Sequence, residues 1–497
     1  MRNLTLLTDF YELTMMQAYY HAELTTGRKQ KAAFDMLYRE NPCGNGYAVA
    51  AGLAQVIDYI RSLAFQKEDI SYLRSTGVFN EDFLEYLANF SFSGDIHSVP
   101  EGTVIFPGEP ILRVTAPLTE AQFIETAILN IINHQSLIAT KAARVCWAAK
   151  GDKVLEFGLR RAQGPDAGLY GARAAMIGGC FGTSNVLAGQ LFDIPVRGTH
   201  AHSWIMSFEQ EIDAFRYYAD IYPNACTLLV DTYDTLKSGV PNAIKVFCEM
   251  RDAGISLKGC GIRLDSGDLA YLSKRAREML DAEGLHDVFI SASNDLDEYL
   301  ISELKNQGAK ISLWGVGTHL ITSKEYPSFG GVYKMSALST DGGEWVPKIK
   351  LSEDPVKVTN PGVKKILRLY DKRTGKMKAD LITLDHETVD ETKNLTIFDP
   401  IATWKRMTLK TGHYTVRELF KPVFLKGQNV YPNLTVPEIC EYAKKEQATL
   451  WDEHKRLVRP QIMPVDLSQE LFDLKQSMIH ERRKTSAANN SLSNHRG

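Results

Sequence analysis

The stretch CGIRLDSGDLAYLSKRAREMLDAEGLHDVFISASNDLDE, Cys260–Glu298, contains one complete strand–helix–strand unit. Cys260–Leu264 and Val288–Ser291 are short, largely apolar runs of strand length, and Ala270–Ala282 between them has helical periodicity. Two strands joined through a helix in this way run parallel, with the helix covering the sheet. The residues that follow each strand, DSGDL and SNDLDE, are polar and loop-forming.

The same alternation extends outward from about residue 153 to 338. Strands are expected at Lys153–Phe157, Ile194–Arg197, Thr227–Val230 and Ile311–Trp314, with Gly331–Ser336 as a seventh. Helices are expected at Ser203–Asp220, Thr235–Ala253 and Leu296–Gln307. Six or seven such units fit an α/β fold with an irregular (β/α) barrel better than two open sheets. GLRRAQG, GTHAHSW, DTYDT and GVGTH follow other strands. In a barrel all these loops open on the face where active sites are built.

The expected division is 1–150 as an N-terminal α+β region, 151–340 as the barrel-like region, 341–484 as a C-terminal β-rich and helical extension, and 485–497 as a disordered tail. Ser93–Pro117 reads as a Gly/Pro-punctuated β section, Asp371–Gly375 as a hairpin turn and Pro437–Arg456 as a helix.

Lys and Arg number 57 against 60 Asp and Glu, so net charge gives no reason to expect nucleic acid or an anionic membrane as partner. The seven cysteines are scattered and form no CxxC pair, which points to a reducing, cytoplasmic location rather than a disulfide framework. No secretory h-region and no bilayer-length apolar run is present.

Neither GxxxxGK[ST] nor GxGxxG occurs, so any nucleotide is bound without a P-loop or dinucleotide fingerprint. SNDLDE and GVGTH are the anion candidates, because each offers free backbone N–H groups where a strand gives way to a helix. Ser293 or Asn294 would alternatively be an N-cap. His200 and His202 form an H-x-H that suits a nucleophile, an acid/base pair, half a metal site or a purely structural role. His319, His134 and His286 are the other imidazoles, and no further ligand set completes a zinc site. Asp231, Asp234, Asp265 and Asp268 could hold ribose hydroxyls or water-bound magnesium, or serve as caps. Arg263 alternates with Ile262 and Leu264, and a guanidinium facing a barrel interior calls for an anion such as a carboxylate.

Taken together, TDFYELTM (Thr8–Met15), EFGLRRAQGPDAG (Glu156–Gly168), GTSNVLAG (Gly182–Gly189), GTHAHS (Gly198–Ser203), GIRLDSGDL (Gly261–Leu269), SASNDLDE (Ser291–Glu298) and GVGTHL (Gly315–Leu320) make the chain resemble the nicotinate phosphoribosyltransferases. The resemblance implies a homodimer with shared active sites, in which Phe157 and the neighbouring subunit's Tyr11 sandwich the pyridine ring. It places Arg263, Thr199 and Ser184 at the nicotinate carboxylate. Arg160, Asp265, Ser266, Asn294, Gly317 and Thr318 would hold 5-phosphoribosyl 1-pyrophosphate. His202 would be the phosphohistidine formed from ATP with Mg2+, and no direct metal ligand is assigned. Nicotinamide phosphoribosyltransferases carry an aspartate where Ser184 aligns, so Ser184 favours the acid. A metal-dependent barrel hydrolase built on His200 and His202 is the alternative from another class.

Overall fold

Six short parallel strands form the sheet that positions the strand-end loops. In the computed structural model, which describes residues 3–354 and 357–493, their order is Gly182–Thr183, Lys153–Glu156, Leu313–Val316, Phe289–Ala292, Gly261–Leu264 and Thr227–Leu229. Every neighbouring pair is parallel, and the first strand in the chain lies between the second and the last. Ile262, Leu264, Ile290, Val316 and Leu228 are buried, as expected for parallel strands covered by helices. Asp268 and Asp297 begin two of those helices, Leu269–Ala282 and Glu298–Asn306, by accepting from the Tyr271 and Leu300 backbone N–H groups.

Several expectations shift. Ile194–Arg197 is not a strand. Only Val196 makes a bridge, to Thr183, because Pro195 has no N–H to donate to a ladder. The last strand is Leu313–Val316 rather than Ile311–Trp314, continuing through Gly315 and Val316 to pair with Leu155 and Glu156. Gly182–Thr183 is a strand too short for any periodicity to reveal. The expected helix Ser203–Asp220 is two helices, His202–Met206 and Glu211–Ile221.

Gly331–Ser336 belongs to a different sheet. It is part of Gly331–Thr340, which pairs antiparallel with Gln30–Tyr38. The chain divides into two compact units, Leu137–Pro327 with Thr435–Ala443, and Met1–Ser136 with Ser328–Leu434 and Lys444–Gly497. The regions 1–150 and 341–484, separate in the sequence, thus fall mostly in one unit. That unit holds a seven-stranded sheet containing Gln30–Tyr38, and a four-stranded sheet in which Lys364–Asp371 and Met377–Leu384 form the expected hairpin. The closing helix runs Gln469–Ser493, and the remaining residues of the expected tail lie outside the described residues. Among the described residues no helix is long and apolar enough to cross a membrane.

Candidate active site

At the carboxyl ends of the parallel strands lies a cavity of about 340 Å3. Phe157, Arg160, His202, Arg263, Asp265 and Asn294 line it, together with Gly317 and Thr318. Eight of the expected site residues therefore converge, although they come from five separate loops or strands.

Arg263 sits at the cavity's inner end with its side chain 14% exposed. One guanidinium nitrogen donates to the His200 carbonyl at 2.8 Å and the other to Ser293 Oγ at 3.2 Å, with Asp265 Oδ1 at 3.6 Å. Its Nε is buried without a hydrogen-bond partner. Burial pulls its pKa down, against the pull of Asp265 and Asp231. A guanidinium in this state, buried and with a donor unspent, gains from an anion that arrives with its own acceptor oxygens.

The two histidines of GTHAHSW have different roles. His200 is buried, and its Nε2 accepts from the Leu229 backbone N–H at 3.3 Å. Burial lowers its pKa to about 4, with the Arg263 and His202 charges adding to the effect. The ring is thus neutral near pH 7 and tied to a strand. His202 begins the short helix His202–Met206 with its side chain 40% exposed. Its Nδ1 meets Thr232 Oγ1 at 3.1 Å and its Nε2 lies 3.7 Å from Asp265 Oδ2. Among the described residues no three His, Cys, Asp or Glu side chains form a group that could hold a metal ion.

Asp265 is held from behind. Asp231 Oδ2 accepts from the Asp265 backbone N–H at 2.8 Å and from Ser266 Oγ at 2.6 Å, while Ser293 Oγ donates to Asp265 Oδ1. Ser293 therefore bridges Asp265 and Arg263, a role the sequence reading did not give it. Neither Ser293 nor Asn294 caps a helix, since Asp297 caps Glu298–Asn306. Instead Asn294 and Asp295 take left-handed φ values of 87° and 43°, which curls the backbone of the loop towards the cavity. Non-glycine residues pay for that conformation, so it is retained where the loop shape matters. Gly317 begins the turn that continues into Thr318–Ile321.

Phe157 follows its strand directly, and its ring lies over Gly315. A Cβ at 315 would stand 2.6 Å from that ring, so only glycine leaves room for it. Beneath it, buried Glu156 accepts from Thr183 Oγ1 at 2.6 Å and from the Gly158 N–H, tying together the loops after two strands. Burial raises its pKa.

The remaining expected residues lie apart. Thr199 lines a second cavity, which shares Phe157, Arg263 and Gly315 with the first. Ser184 and Ser266 line neither: the Ser184 N–H donates to the Glu156 carbonyl and Ser266 to Asp231. Tyr11 belongs to the other unit, on the helix Phe10–Thr26, and is 48% exposed. His319 faces Asp297 and Lys324, His286 faces Asp281, and Asp234 and Asp268 are helix caps. Arg161, which also lines the first cavity, was missed, although it adjoins Arg160 in GLRRAQG. A pocket of about 240 Å3 in the other unit, lined by Arg39, Lys334, Lys357 and Lys475 with no carboxylate among its described lining residues, was also missed. Its cations are scattered over the sequence and share no motif.

Residues 6–133 match the nicotinate phosphoribosyltransferase (NAPRTase) N-terminal domain, 153–373 the nicotinate phosphoribosyltransferase (NAPRTase) family and 363–475 the nicotinate phosphoribosyltransferase C-terminal domain. The chain is 46% identical to the nicotinate phosphoribosyltransferase of Bacillus subtilis (strain 168), over 96% of each chain. It is 36% identical to that of Caenorhabditis elegans, over 94% of this chain and 92% of the other. The crystal structure of human nicotinic acid phosphoribosyltransferase superposes with a TM-score of 0.81 at 30% identity, covering 95% of this chain and 99% of that one.

Proposed function

The chain belongs to the nicotinate phosphoribosyltransferase family, and on that premise we propose how its own side chains carry out the reaction. It is an enzyme, a nicotinate phosphoribosyltransferase of NAD salvage. Arg263 binds the nicotinate carboxylate, and this reading rests on one observation: a guanidinium 14% exposed, with Nε unpaired, lining the same cavity as Phe157. Phe157 supplies one aromatic face for the pyridine, and Thr199 and Ser184 complete the acid's surroundings. Tyr11 of a second copy supplies the other face, which makes the working unit a dimer.

The phosphoribosyl donor fits the outer part of the same cavity. Arg160, Asn294, Gly317 and Thr318 meet its phosphates, and Asp265 with Ser266 meets the ribose hydroxyls. Pyrophosphate then leaves the anomeric carbon while the lone pair of the pyridine nitrogen forms the new C–N bond. That nitrogen carries no proton, so no protein base is needed.

His202 is the phosphoacceptor from ATP. In the tautomer whose Nδ1–H donates to Thr232 Oγ1, Nε2 presents its lone pair to the γ-phosphate, and hydrolysis of the phosphohistidine resets the enzyme. Magnesium accompanying ATP would offset phosphate charge. Asp231, whose Oδ1 is buried without a hydrogen-bond partner, and Asp265 would hold it through water. All seven cysteines are free, which supports a reducing, cytoplasmic setting. The order of the parallel strands, with the first between the second and the last, we read as an irregular (β/α) barrel.

Competition between nicotinate and nicotinamide in one assay, followed by chromatography of the two mononucleotides, tests the substrate assignment. Equal use of the amide would sink it.

A further inference from the structure

Behind the pyridine site the sheet encloses a cavity of about 900 Å3. A volume of this size takes a drug-sized ligand, several times what one pyridine ring fills. Barrel interiors are ordinarily packed with branched aliphatic side chains. Here the strands contribute Thr227, Ser291, Ala292 and Gly315 to the cavity wall, and the space stays open. The lining includes residues at both ends of the strands. Phe157, Arg263 and Gly315 belong to the active-site end, whereas Lys153, Phe181, Asn224 and Ser312 stand at or just before strand starts. The cavity thus runs the length of the strands, roughly 13 Å for four residues.

The rear end has a defined chemistry. The Phe181 ring is 38% exposed, with Lys153 Nζ 4.2 Å and the Arg197 guanidinium carbon 5.8 Å from its centroid. Neither cation is paired with a carboxylate among the described residues, and Arg197 donates only to the Val196 carbonyl. Asp152 is close by, but its Oδ2 already accepts from Lys305 at 2.6 Å and from Trp314 Nε1 at 3.0 Å. The mouth is therefore net positive, with both cations gathered over the Phe181 ring. Leu313, in register with Lys153, and Phe289 add apolar wall at the same strand starts, and Leu155 lies further in.

We propose that this cavity is a second, rear binding site for elongated planar aromatic monocarboxylates, with the acid between Lys153 and Arg197 and the rings reaching inward towards Phe157. Only its inner end depends on the pyridine site proposed above. The geometry combines what such an anion needs: two cations that no carboxylate pairs among the described residues, the aromatic ring they share, and a slot deeper than one ring. Substrate chemistry takes place at the opposite end, so an occupant here is not consumed.

The probe is biphenyl-4-carboxylate, titrated calorimetrically into the full-length enzyme. The wild type should bind it, and Lys153→Glu with Arg197→Glu should weaken binding about tenfold or more, since two rim attractions become repulsions. The melting temperature of that variant should match the wild type. Ser291→Phe, which fills the slot from within, should abolish binding with both mouth cations intact. Arg263→Ala should weaken nicotinate binding while leaving the probe bound. No binding to the wild type, binding indifferent to the charge reversal, or loss of the probe in Arg263→Ala alone would overturn the proposal. Should nicotinate fail to bind the wild type while the probe still responds to Lys153 and Arg197, the substrate reading falls and the rear site stands.

Discussion

His202 Nδ1 lies 3.1 Å from the Thr232 hydroxyl. Thr232 follows the strand Thr227–Leu229, so this contact fixes the imidazole from a separate segment of the chain. Replacing His202 with Asn keeps a polar side chain but removes the phosphoacceptor nitrogen. The expected outcome is loss of ATP hydrolysis and of acid-labile, base-stable protein phosphate, with slow ATP-independent nucleotide formation remaining. Thr232→Val keeps the side chain's shape and loses one hydrogen bond of about 1 kcal/mol, so labelling should slow by roughly fivefold to tenfold. Labelling with γ-labelled ATP and magnesium measures both variants. Full labelling of His202→Asn would assign the phosphate elsewhere.

Arg263→Ala leaves the nicotinate carboxylate facing a pocket without its main countercharge. Loss of one charged hydrogen-bond partner costs on the order of 2–4 kcal/mol, which corresponds to weaker nicotinate binding by roughly a factor of 30 to 1000. Labelling of His202 by ATP should persist in the same variant. Steady-state kinetics at saturating phosphoribosyl donor measures the effect, and an unchanged apparent affinity would remove Arg263 from the site.

The Ser293–Asn294–Asp295 loop makes a separable prediction about backbone against side chain. Asn294 at φ 87° occupies a conformation that a β-branched residue resists. Asn294→Val should therefore raise the KM for phosphoribosyl pyrophosphate more than Asn294→Gly, which keeps the loop shape and loses only the amide. Equal effects of the two would mean that the side chain, not the exposed N–H groups, binds the phosphate.

These residues also mark where sequence reading succeeds and stops. Arg263 and Asp265 were legible because each lies within or just after a strand, and parallel strands deliver such positions to one end, whereas Asn294 alone read as an N-cap and reached the site, like Gly317, only through the family motif. Ser293 was not, because its bridging role depends on the Gly261–Leu264 and Phe289–Ala292 strands lying side by side, in register with Arg263 opposite Ser291. The strand Gly331–Thr340 was misplaced for a related reason. Its own residues say strand, but nothing in them names a partner as distant as Gln30–Tyr38. His200 and His202 look alike in GTHAHSW, and only the fold separates them, burying His200 on the Leu229 N–H and leaving His202 partly exposed in the cavity.

That difference gives a pH test. An unfolded histidine takes up a proton near pH 6.5, whereas folded His200 does so only at about 4, chiefly because it is buried. Between those values the unfolded chain binds more protons, so stability falls as pH drops from 6.5 towards 4, by up to about 3 kcal/mol. Above pH 6.5 both states are neutral and the contribution is complete. His200→Gln should lower the melting temperature at pH 7.5 but flatten its decline between pH 6.5 and 4.5. A decline as steep as the wild type's would show that other groups govern acid sensitivity.

Tyr11 tests the shared site. It lies in the first turn of the helix Phe10–Thr26 with 48% of its surface exposed, which leaves ring surface for a partner to meet. Stacking on an electron-poor pyridine needs a flat aromatic face, so Tyr11→Ala should raise the KM for nicotinate far more than Tyr11→Phe. The Tyr11→Ala chain keeps its own Arg263, and the Arg263→Ala chain keeps its own Tyr11. If each site takes Tyr11 from one subunit and Arg263 from the other, a mixed dimer of the two variants concentrates both defects in one site and restores the other. Coexpressed and reassorted variants should then recover up to about half of wild-type activity per mixed dimer, although each parent homodimer is impaired. Sedimentation analysis with differently tagged chains establishes that mixed dimers have formed before activity is read. Activity no higher than the mean of the two parents would place Tyr11 in its own subunit's service, leaving the Arg263 pocket complete within a single chain.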